Sequence, residues 1–402
     1  MRCFPRAVHR VAFMDCRHTG NPIALAMTKT PHRLILFATA LVSSLHAAPL
    51  EIAAVNERMK GFVEAKEISG AVTLVADAEK VLHLSAIGLA DIASKTPMAT
   101  DSLFWIASMT KPITATAVMM MQDEGKLSVD DPVSKYLPEF TGDKAGITIK
   151  QCLTHSSGLS DLTPAETKDL TTLKQLTPLI AAKPLQFPPG GKWQYCQTGI
   201  NTAARIVEVV SGKAFPEFLQ ERLFDPLGMV DTSFYPGEKQ VARLASAYKR
   251  GVSGELEKSG LFFLNGKSPS DKGHYPMANG GLFSTAGDYA KFAQMILRGG
   301  ESGGKRYLKP ESVQQMTSVQ SGDLTTGFTP GNGWGLGWCV VREPQGVTAA
   351  LSSGTFGHGG LFGTQAWIDP VKQRIYLMMI QRADLANGDA SDMRRDFQNA
   401  AK

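Results

Sequence analysis

Cysteine and histidine are scarce in this 402-residue chain. Of five cysteines, two lie in the first 26 residues, which leaves Cys152, Cys196 and Cys339. Three scattered thiols form no disulfide framework and lack the spacing of metal ligands. Only four histidines follow residue 48, at positions 83, 155, 274 and 358. A zinc site would have few ligands to draw on, so the sequence favours chemistry without a metal or another cofactor.

Excess charge of either sign is also lacking once the first 48 residues are set aside. The formal net charge of the whole chain is +5. Residues 1–48 contain six basic residues and one acidic residue, so the remaining chain has 36 of each. This balance argues against a nucleic-acid partner.

The apolar run from Leu34 to Leu45 is too short to cross a membrane, because its 12 residues fall below the roughly 20 that a spanning helix needs. It follows the basic stretch MTKTPHR, which begins at Met27, and precedes the small residues of HAAP. This order is typical of a secretory signal peptide. We predict a signal peptide over 27–48, an upstream extension over 1–26, and an exported periplasmic or secreted protein without stable membrane insertion. A buried N-terminal helix is the alternative interpretation.

The rest of the chain reads as one α/β (α+β) domain over 49–402. A helix over 51–67 is followed by two β-rich runs, SGAVTLVAD at 69–77 and KVLHLSAIGLAD at 80–91, which predict a hairpin. Helical patterns dominate a lobe at roughly 126–300, and strand patterns return in GWGLGWCVV, GTQAWIDP and RIYLMMIQ. We therefore expect one antiparallel sheet formed by both chain ends, with flanking helices and an inserted, mainly helical lobe.

The stretch WIASMTKPI places Ser108 and Lys111 three residues apart, at the start of a helix predicted over 108–125. Residues i and i+3 share a helix face, so the hydroxyl and the amine can form a hydrogen bond. Apolar neighbours disfavour the charged form of a lysine and lower its pKa, which makes it a usable base. The pattern fits a serine nucleophile with a lysine partner. For a lone S-x-x-K, however, a solvated lysine at a helix start is the better interpretation, so further motifs have to decide.

Several further stretches accompany it in order: LTHSSGL at 153–159, PPGGKWQYCQTG at 188–199, GGLFSTAGDYAKFA at 280–293 and GHGG at 357–360. Over about 60–380 the chain resembles the serine hydrolases that include class C β-lactamases, D-alanyl-D-alanine peptidases, D-aminopeptidases and β-lactamase-like carboxylesterases. The resemblance implies a β-lactamase/transpeptidase-like fold and a small-molecule ester, lactam or short-peptide substrate.

Carried over to this chain, the resemblance makes Ser108 the acyl-accepting nucleophile and Lys111 its partner. Tyr195 becomes a second general base and acid. A phenol with a pKa of about 10 is a poor base, and Lys111 is the cation expected to stabilise its phenolate. The oxyanion hole is implied to be the backbone N–H groups of Ser108 and Leu361, which follows His358, Gly359 and Gly360 on an expected edge strand.

Two departures from the family pattern bear on the substrate. Gln197 stands where the second motif carries asparagine, so its carboxamide lies one methylene further from the backbone. His358 stands where β-lactamases carry lysine, and a histidine with a pKa of about 6.5 is mostly neutral at pH 7. Both favour short-chain carboxylic esters over carboxylated β-lactams. Hydrolysis of β-lactams or D-amino-acid peptides at the same site is the first alternative, and a non-catalytic peptidoglycan-binding or sensor protein is the second.

Two other residues invite a catalytic interpretation. Ser302 in GESGG matches the nucleophile elbow G-x-S-x-G, which requires a strand before the serine and a helix after it. Here a helical pattern precedes Ser302, so we predict a glycine-rich turn. His155 in LTHSSGL is interpreted as a structural histidine that caps a turn rather than as part of a Ser-His-Asp triad.

Overall fold

The main sheet is built from the two ends of the described chain, as the sequence predicts. The computed structural model describes residues 52–402, so the predicted extension and signal peptide lie outside the described residues. The eight strands of this sheet are β1 (Gly70–Ala76), β2 (Val81–Asp91), β3 (Thr96–Pro97), β4 (Asn332–Trp334), β5 (Cys339–Val341), β6 (Phe356–Gly359), β7 (Gln365–Asp369) and β8 (Arg374–Met379).

The strand order is β4-β5-β6-β7-β8-β1-β2-β3, and every neighbouring pair is antiparallel. The ends of the chain meet at the pairing of β8 with β1, where Val72 lies opposite Met379. Three two-stranded pairs lie outside this sheet: Phe104–Trp105 with Phe283–Ser284, Ala247–Arg250 with Leu256–Ser259, and Glu301–Ser302 with Lys305–Arg306.

The helices flank this sheet and fill the inserted lobe, which is mainly helical as expected. They are α1 (Ala53–Glu64), α2 (Thr110–Asp123), α3 (Ile149–Leu153), α4 (Pro164–Thr167), α5 (Leu173–Ala182), α6 (Gln197–Ser211), α7 (Phe215–Leu219), α8 (Asp225–Leu227), α9 (Glu238–Val241), α10 (Ala286–Leu297), α11 (Pro310–Thr317) and α12 (Asp392–Ala400). Within residues 52–402, none of these helices has the length and apolarity that a membrane crossing requires.

Strand β1 is buried on both faces, and its alternating side chains divide between two cores. Val72 and Leu74 point to the core shared with the helical lobe, whereas Ala71 and Val75 point to the core under α1 and α12. Helix α2 is almost entirely buried between the sheet and the lobe. Its first turn therefore has a fixed position at the boundary of these two parts.

The expectation of an edge strand before Leu361 is wrong, because β6 lies between β5 and β7. Its pairing with β5 ends at Gly357, however, while His358 and Gly359 pair only with β7. The last two residues of β6 thus have one unpaired edge. The candidate site lies at this edge.

Candidate active site

Ser108 lies in a tight turn that leads into α2. Residues Ala107–Met109 form one turn of 3₁₀ helix, and α2 begins at Thr110. Ala107 adopts a left-handed conformation with φ +45°, which is uncommon for a residue with a Cβ atom and typical of strained functional turns. The turn leaves Ser108 partly exposed, whereas Ala107 and Met109 are buried.

Lys111 is completely buried, and its ammonium group has three oxygen partners. Its Nζ lies 2.9 Å from Ser108 Oγ, 2.9 Å from Gln197 Oε1 and 2.7 Å from the carbonyl oxygen of Asn279. Burial lowers the pKa of Lys111 to about 7, although the Asp161 carboxylate acts in the opposite direction. The neutral amine that the sequence predicts is therefore populated near neutral pH.

The three partners decide which proton a neutral Lys111 can accept. The carbonyl oxygen of Asn279 has no hydrogen to donate, and Gln197 Oε1 also accepts a bond from Asn279 Nδ2 at 2.9 Å. A neutral amine has two N–H donors and one lone pair, so two of the three contacts are donated by nitrogen. Only Ser108 can supply the third hydrogen, and its hydroxyl consequently points its proton at Lys111.

Tyr195 is brought next to the same pair. Lys111 Nζ lies 4.6 Å from the centroid of the Tyr195 ring and so faces the ring. Burial raises the pKa of Tyr195 above its usual range, and a hydrogen bond with Ser108 opposes this effect. The resting protein therefore favours the phenol over the phenolate, and stabilisation of a phenolate by Lys111 during the reaction stays a prediction. Tyr195 is present as a neutral phenol that can donate a proton.

His358 is buried beside Tyr195, and the structure fixes its tautomer. Its Nδ1 lies 2.7 Å from the carbonyl oxygen of Gly359, which can only accept, so Nδ1 carries the hydrogen. Nε2 is then an acceptor, 3.5 Å from the Tyr195 hydroxyl. Burial, together with the nearby Lys111, lowers the pKa of His358 to about 3. The prediction of a neutral histidine at this position is confirmed.

The backbone around Gly360 has no room for side chains. A Cβ atom on Gly360 would lie 2.6 Å from the carbonyl oxygen of Ile106, and one on Gly359 would lie 1.8 Å from Asp389 Oδ1. These glycines bring β6 against the turn that carries Ser108. Among the described residues, neither the N–H of Ser108 nor that of Leu361 has a hydrogen-bond partner. Both donors are thus free for an oxyanion, as the resemblance implies.

His155 is a structural residue in this arrangement. It is buried with φ +59°, and its Nδ1 accepts a hydrogen bond from the backbone N–H of Cys196 at 3.1 Å. Its ring centroid lies 4.5 Å from that of Tyr195. It therefore supports the segment that carries Tyr195. Ser302 lies in the Glu301–Ser302 hairpin after α10, where its Oγ accepts a bond from Arg298, and it does not line the cavity that contains Ser108.

Two residues of the site were missed by the sequence reasoning. Asn279 holds Lys111 with its main chain and Gln197 with its side chain, a role that no motif indicates. Asp161 Oδ1 accepts the backbone N–H groups of Gln197 and Thr198 at 2.8 and 2.9 Å and so caps the first turn of α6. The signal available in the sequence was the acidic residue that follows LTHSSGL. Helix caps are normally adjacent to their helix, but this one lies 36 residues before Gln197, so the sequence does not indicate which helix it caps.

The cap is also the strongest charged influence that favours the protonated form of Lys111, which leads to a test. In Asp161→Asn the amide oxygen can still cap α6, but the negative charge is lost. The pKa of Lys111 should fall, so the acid limb of the pH profile of kcat/KM should move to lower pH. We expect a loss of unfolding free energy of only about 0.5 kcal/mol, from the weaker interaction with the helix dipole.

The matched control for this charge is Asp169→Asn, because Asp169 is an exposed carboxylate in the same part of the lobe. Its profile should superimpose on that of the unmodified protein. An acid limb that stays in place in Asp161→Asn, or moves to higher pH, would contradict the assignment of this limb to Lys111.

Ser108 opens into a cavity of about 660 Å³. Its walls include the predicted residues Tyr195, Gln197, His358, Gly359, Gly360 and Leu361. Much of the remaining surface is aromatic, and the rings of Phe262 and Phe328 are half exposed at its rim. Within the described part of the chain, no group of three His, Cys, Asp or Glu side chains is arranged to hold a metal ion.

Comparison of the chain with known proteins identifies a family, relatives and a similar solved structure. A family model described as Beta-lactamase matches residues 55–401. Protein Rv1367c of Mycobacterium tuberculosis is 33% identical over 360 residues, which cover 81% of this chain and 88% of that protein. Esterase EstB of Burkholderia gladioli is 28% identical over 342 residues, covering 76% and 83%. The solved structure of EstCE1, described as a hydrolase with promiscuous acyltransferase activity, superimposes with a TM-score of 0.74 at 27% identity, covering 87% of this chain and 98% of that one.

Proposed function

The chain belongs to the β-lactamase family of serine hydrolases, and we propose that it hydrolyses carboxylic esters through an acyl-enzyme on Ser108. The observation that carries this proposal is the set of partners around Lys111 Nζ, in which Ser108 is the only group able to donate to the neutral amine. A buried amine with a pKa of about 7 and a serine aimed at its lone pair form a nucleophile and base pair.

In the first step the Ser108 hydroxyl gives its proton to Lys111 Nζ while Oγ bonds to the ester carbonyl carbon. The carbonyl oxygen becomes an oxyanion, which the N–H groups of Ser108 and Leu361 bind. The bond to the alcohol oxygen then breaks. Tyr195, a neutral phenol beside Ser108, donates a proton to the departing alkoxide and recovers one from protonated Lys111.

In the second step water releases the acid from the acyl-enzyme. Lys111, neutral again after passing its proton to Tyr195, accepts a proton from the attacking water. A second tetrahedral oxyanion forms in the same backbone hole. Its collapse breaks the bond between the acyl carbon and Ser108 Oγ, and Oγ takes the proton from protonated Lys111 as the carboxylic acid leaves. The enzyme thus ends the cycle in its starting protonation state.

β-Lactams and D-alanyl peptides carry a carboxylate that needs a cationic partner in the site, whereas simple esters do not. The site therefore favours esters. His358 is held neutral by burial, and Lys111 already has three oxygen partners. Among the described residues that line the cavity, the lysine is Lys168, which is exposed at the rim of the cavity. Gln197 Oε1 is also committed to Lys111 and Asn279, so it is not free to accept an amide N–H of a peptide substrate. Similarity to esterase EstB supports the same choice.

A panel of three substrates tests the proposal. We expect rapid turnover of p-nitrophenyl butyrate, with kcat/KM for a chromogenic cephalosporin and for a D-alanyl-D-alanine peptide lower by about 10²-fold or more, because an unpaired buried carboxylate is costly. The matched control is p-nitrophenyl hemisuccinate, which adds a carboxylate to the same ester. It should lose most of the rate of the butyrate. Turnover of the cephalosporin or the peptide that exceeds that of the butyrate would replace the esterase proposal with the corresponding alternative.

A non-catalytic binding protein, the alternative from another class, fits the site less well. Such a protein has no need of a buried lysine whose burial lowers its pKa, since a surface lysine would bind a ligand at lower cost. Ser108 and Tyr195 line the cavity, and the buried Lys111 lies directly behind them, 2.9 Å from Ser108 Oγ. Absence of turnover for all three substrates would bring this alternative forward.

A further inference from the structure

One carboxylate of the cavity has no part in the proposed reaction. Asp389 lies in the short turn Gly388–Ala390 before α12 and lines the same cavity as Ser108. A Cβ atom on Gly359 would lie 1.8 Å from its Oδ1, so the carboxylate lies directly against the end of β6. It therefore lies beside the glycine that follows His358, in the cavity that contains Ser108.

This carboxylate is partly exposed to the cavity and has few partners within the protein. Gln365 Nε2 donates a hydrogen bond to Oδ1 at 3.2 Å, and the described residues provide no ion pair. The neighbouring Arg394 donates to the main-chain oxygen of Asp389, not to the carboxylate. Burial raises the pKa of Asp389, with Arg394, Gln365 and Lys111 acting in the opposite direction. Arg394 thus neighbours Asp389 without forming an ion pair with its carboxylate, and a cation bound in the cavity would provide one.

The rest of the cavity suits a cation with apolar substituents. Its walls carry the rings of Trp105, Phe262, Phe263, Tyr275 and Phe328. Aromatic faces attract alkylated ammonium groups through their quadrupoles and bury the attached methylene groups. The lysine that is hydrogen-bonded to the reacting serine, Lys111, already has three hydrogen-bonding partners inside the protein.

We propose that Asp389 and the aromatic walls form a subsite for an alkylammonium group on the substrate. The inference rests on the proposed function, because it places the cationic group on an ester that Ser108 attacks. It makes Asp389 a specificity-determining residue: it attracts cationic esters and repels substrates with a carboxylate.

A pair of isosteric esters tests this subsite. Butyrylcholine and 3,3-dimethylbutyl butyrate differ in replacing a quaternary nitrogen by carbon, so they share size and acyl group but not charge. We expect kcat/KM to favour butyrylcholine by about 10-fold or more in the unmodified protein, because a charge pair in a partly desolvated site is strong. In Asp389→Asn the ratio should fall close to one, whereas in Asp384→Asn, which removes an exposed carboxylate five residues earlier, it should persist.

The ratio of kcat/KM for the two esters distinguishes a role of Asp389 in binding the cation from a role in stabilising the fold. If Asp389 only stabilises the fold through Arg394, Asp389→Asn lowers the rates of both esters together and leaves their ratio unchanged. A ratio near one in the unmodified protein would overturn the inference.

Binding to the unmodified protein provides a second measurement that needs neither a variant nor turnover. Calorimetric titration with choline and with its neutral isostere 3,3-dimethylbutan-1-ol should give at least about 5-fold tighter binding of choline, from the same charge pair. Equal binding of the two alcohols would overturn the subsite. If neither ester is hydrolysed but choline still binds more tightly, the proposed function fails while the subsite stands.

Discussion

Replacing Ser108 with alanine is expected to lower kcat/KM for p-nitrophenyl butyrate by about 10⁴-fold or more, since no acyl-enzyme can form without its Oγ. Ser108 is a partly exposed residue in a turn whose backbone is fixed by Ala107 and by the buried start of α2. Loss of one hydroxyl should therefore change the thermal midpoint little. The rate measured against p-nitrophenol release, together with a melting curve, separates loss of catalysis from loss of fold.

Ser302→Ala is the matched control, because Ser302 has the G-x-S-x-G pattern but lies outside the cavity. Its kcat/KM should stay within about 2-fold of the unmodified value, as expected for a surface substitution away from the site. Equal losses in the two variants, or full activity in Ser108→Ala, would remove Ser108 from the reaction.

Replacing Lys111 with arginine should lower kcat/KM at pH 7 by about 10³-fold, because a guanidinium keeps its charge at every accessible pH and cannot accept the Ser108 proton. Methionine at this position should have a similar effect on rate. Arginine is larger than the buried lysine and could disturb packing, whereas methionine has a similar length and no amine. The methionine variant therefore tests the loss of the base without overpacking the site. The exposed Lys239, on α9 away from the cavity, provides the control Lys239→Met.

The pH profile of the unmodified protein follows from the same lysine. Its pKa of about 7 means that the base is protonated and inactive below that pH and neutral above it. The logarithm of kcat/KM should consequently rise with unit slope up to about pH 7 and then level off, with any fall at higher pH assigned to other groups. A limb near the ordinary lysine pKa, or a profile that falls between pH 6 and 8, would contradict a neutral Lys111 as the base.

The parts of this fold that the sequence predicts are those with local patterns. The run of β-branched and other apolar residues in AVTLVA predicts β1, and the short turn after it predicts that β2 is its partner. The pairing of β1 with β8 joins residues about 300 positions apart. The strand patterns at both chain ends predict a shared sheet, but they do not say which strands pair or in which register. The internal position of β6 was missed for the same reason: GWGLGWCVV indicates a strand over β5, but no local pattern gives the order of the strands in the sheet.

In the site, Ser108 and Lys111 are predictable because three residues of helix bring their side chains together without any tertiary contact. Tyr195 and His358 could be placed only through the resemblance. Asn279 contributes a main-chain oxygen, and main-chain groups have no residue signature. The neutral state of Tyr195 depends on burial by residues from four parts of the chain, which no local pattern records.

Intact mass of the protein mixed with p-nitrophenyl butyrate and quenched within one turnover tests the central claim most directly. We expect an added butyryl group, mapped by peptide mass to the segment that contains Ser108, and its absence in Ser108→Ala. The Ser302→Ala protein should acquire the same adduct as the unmodified protein. A butyryl group on another residue, or one that persists in Ser108→Ala while turnover continues, would contradict the account.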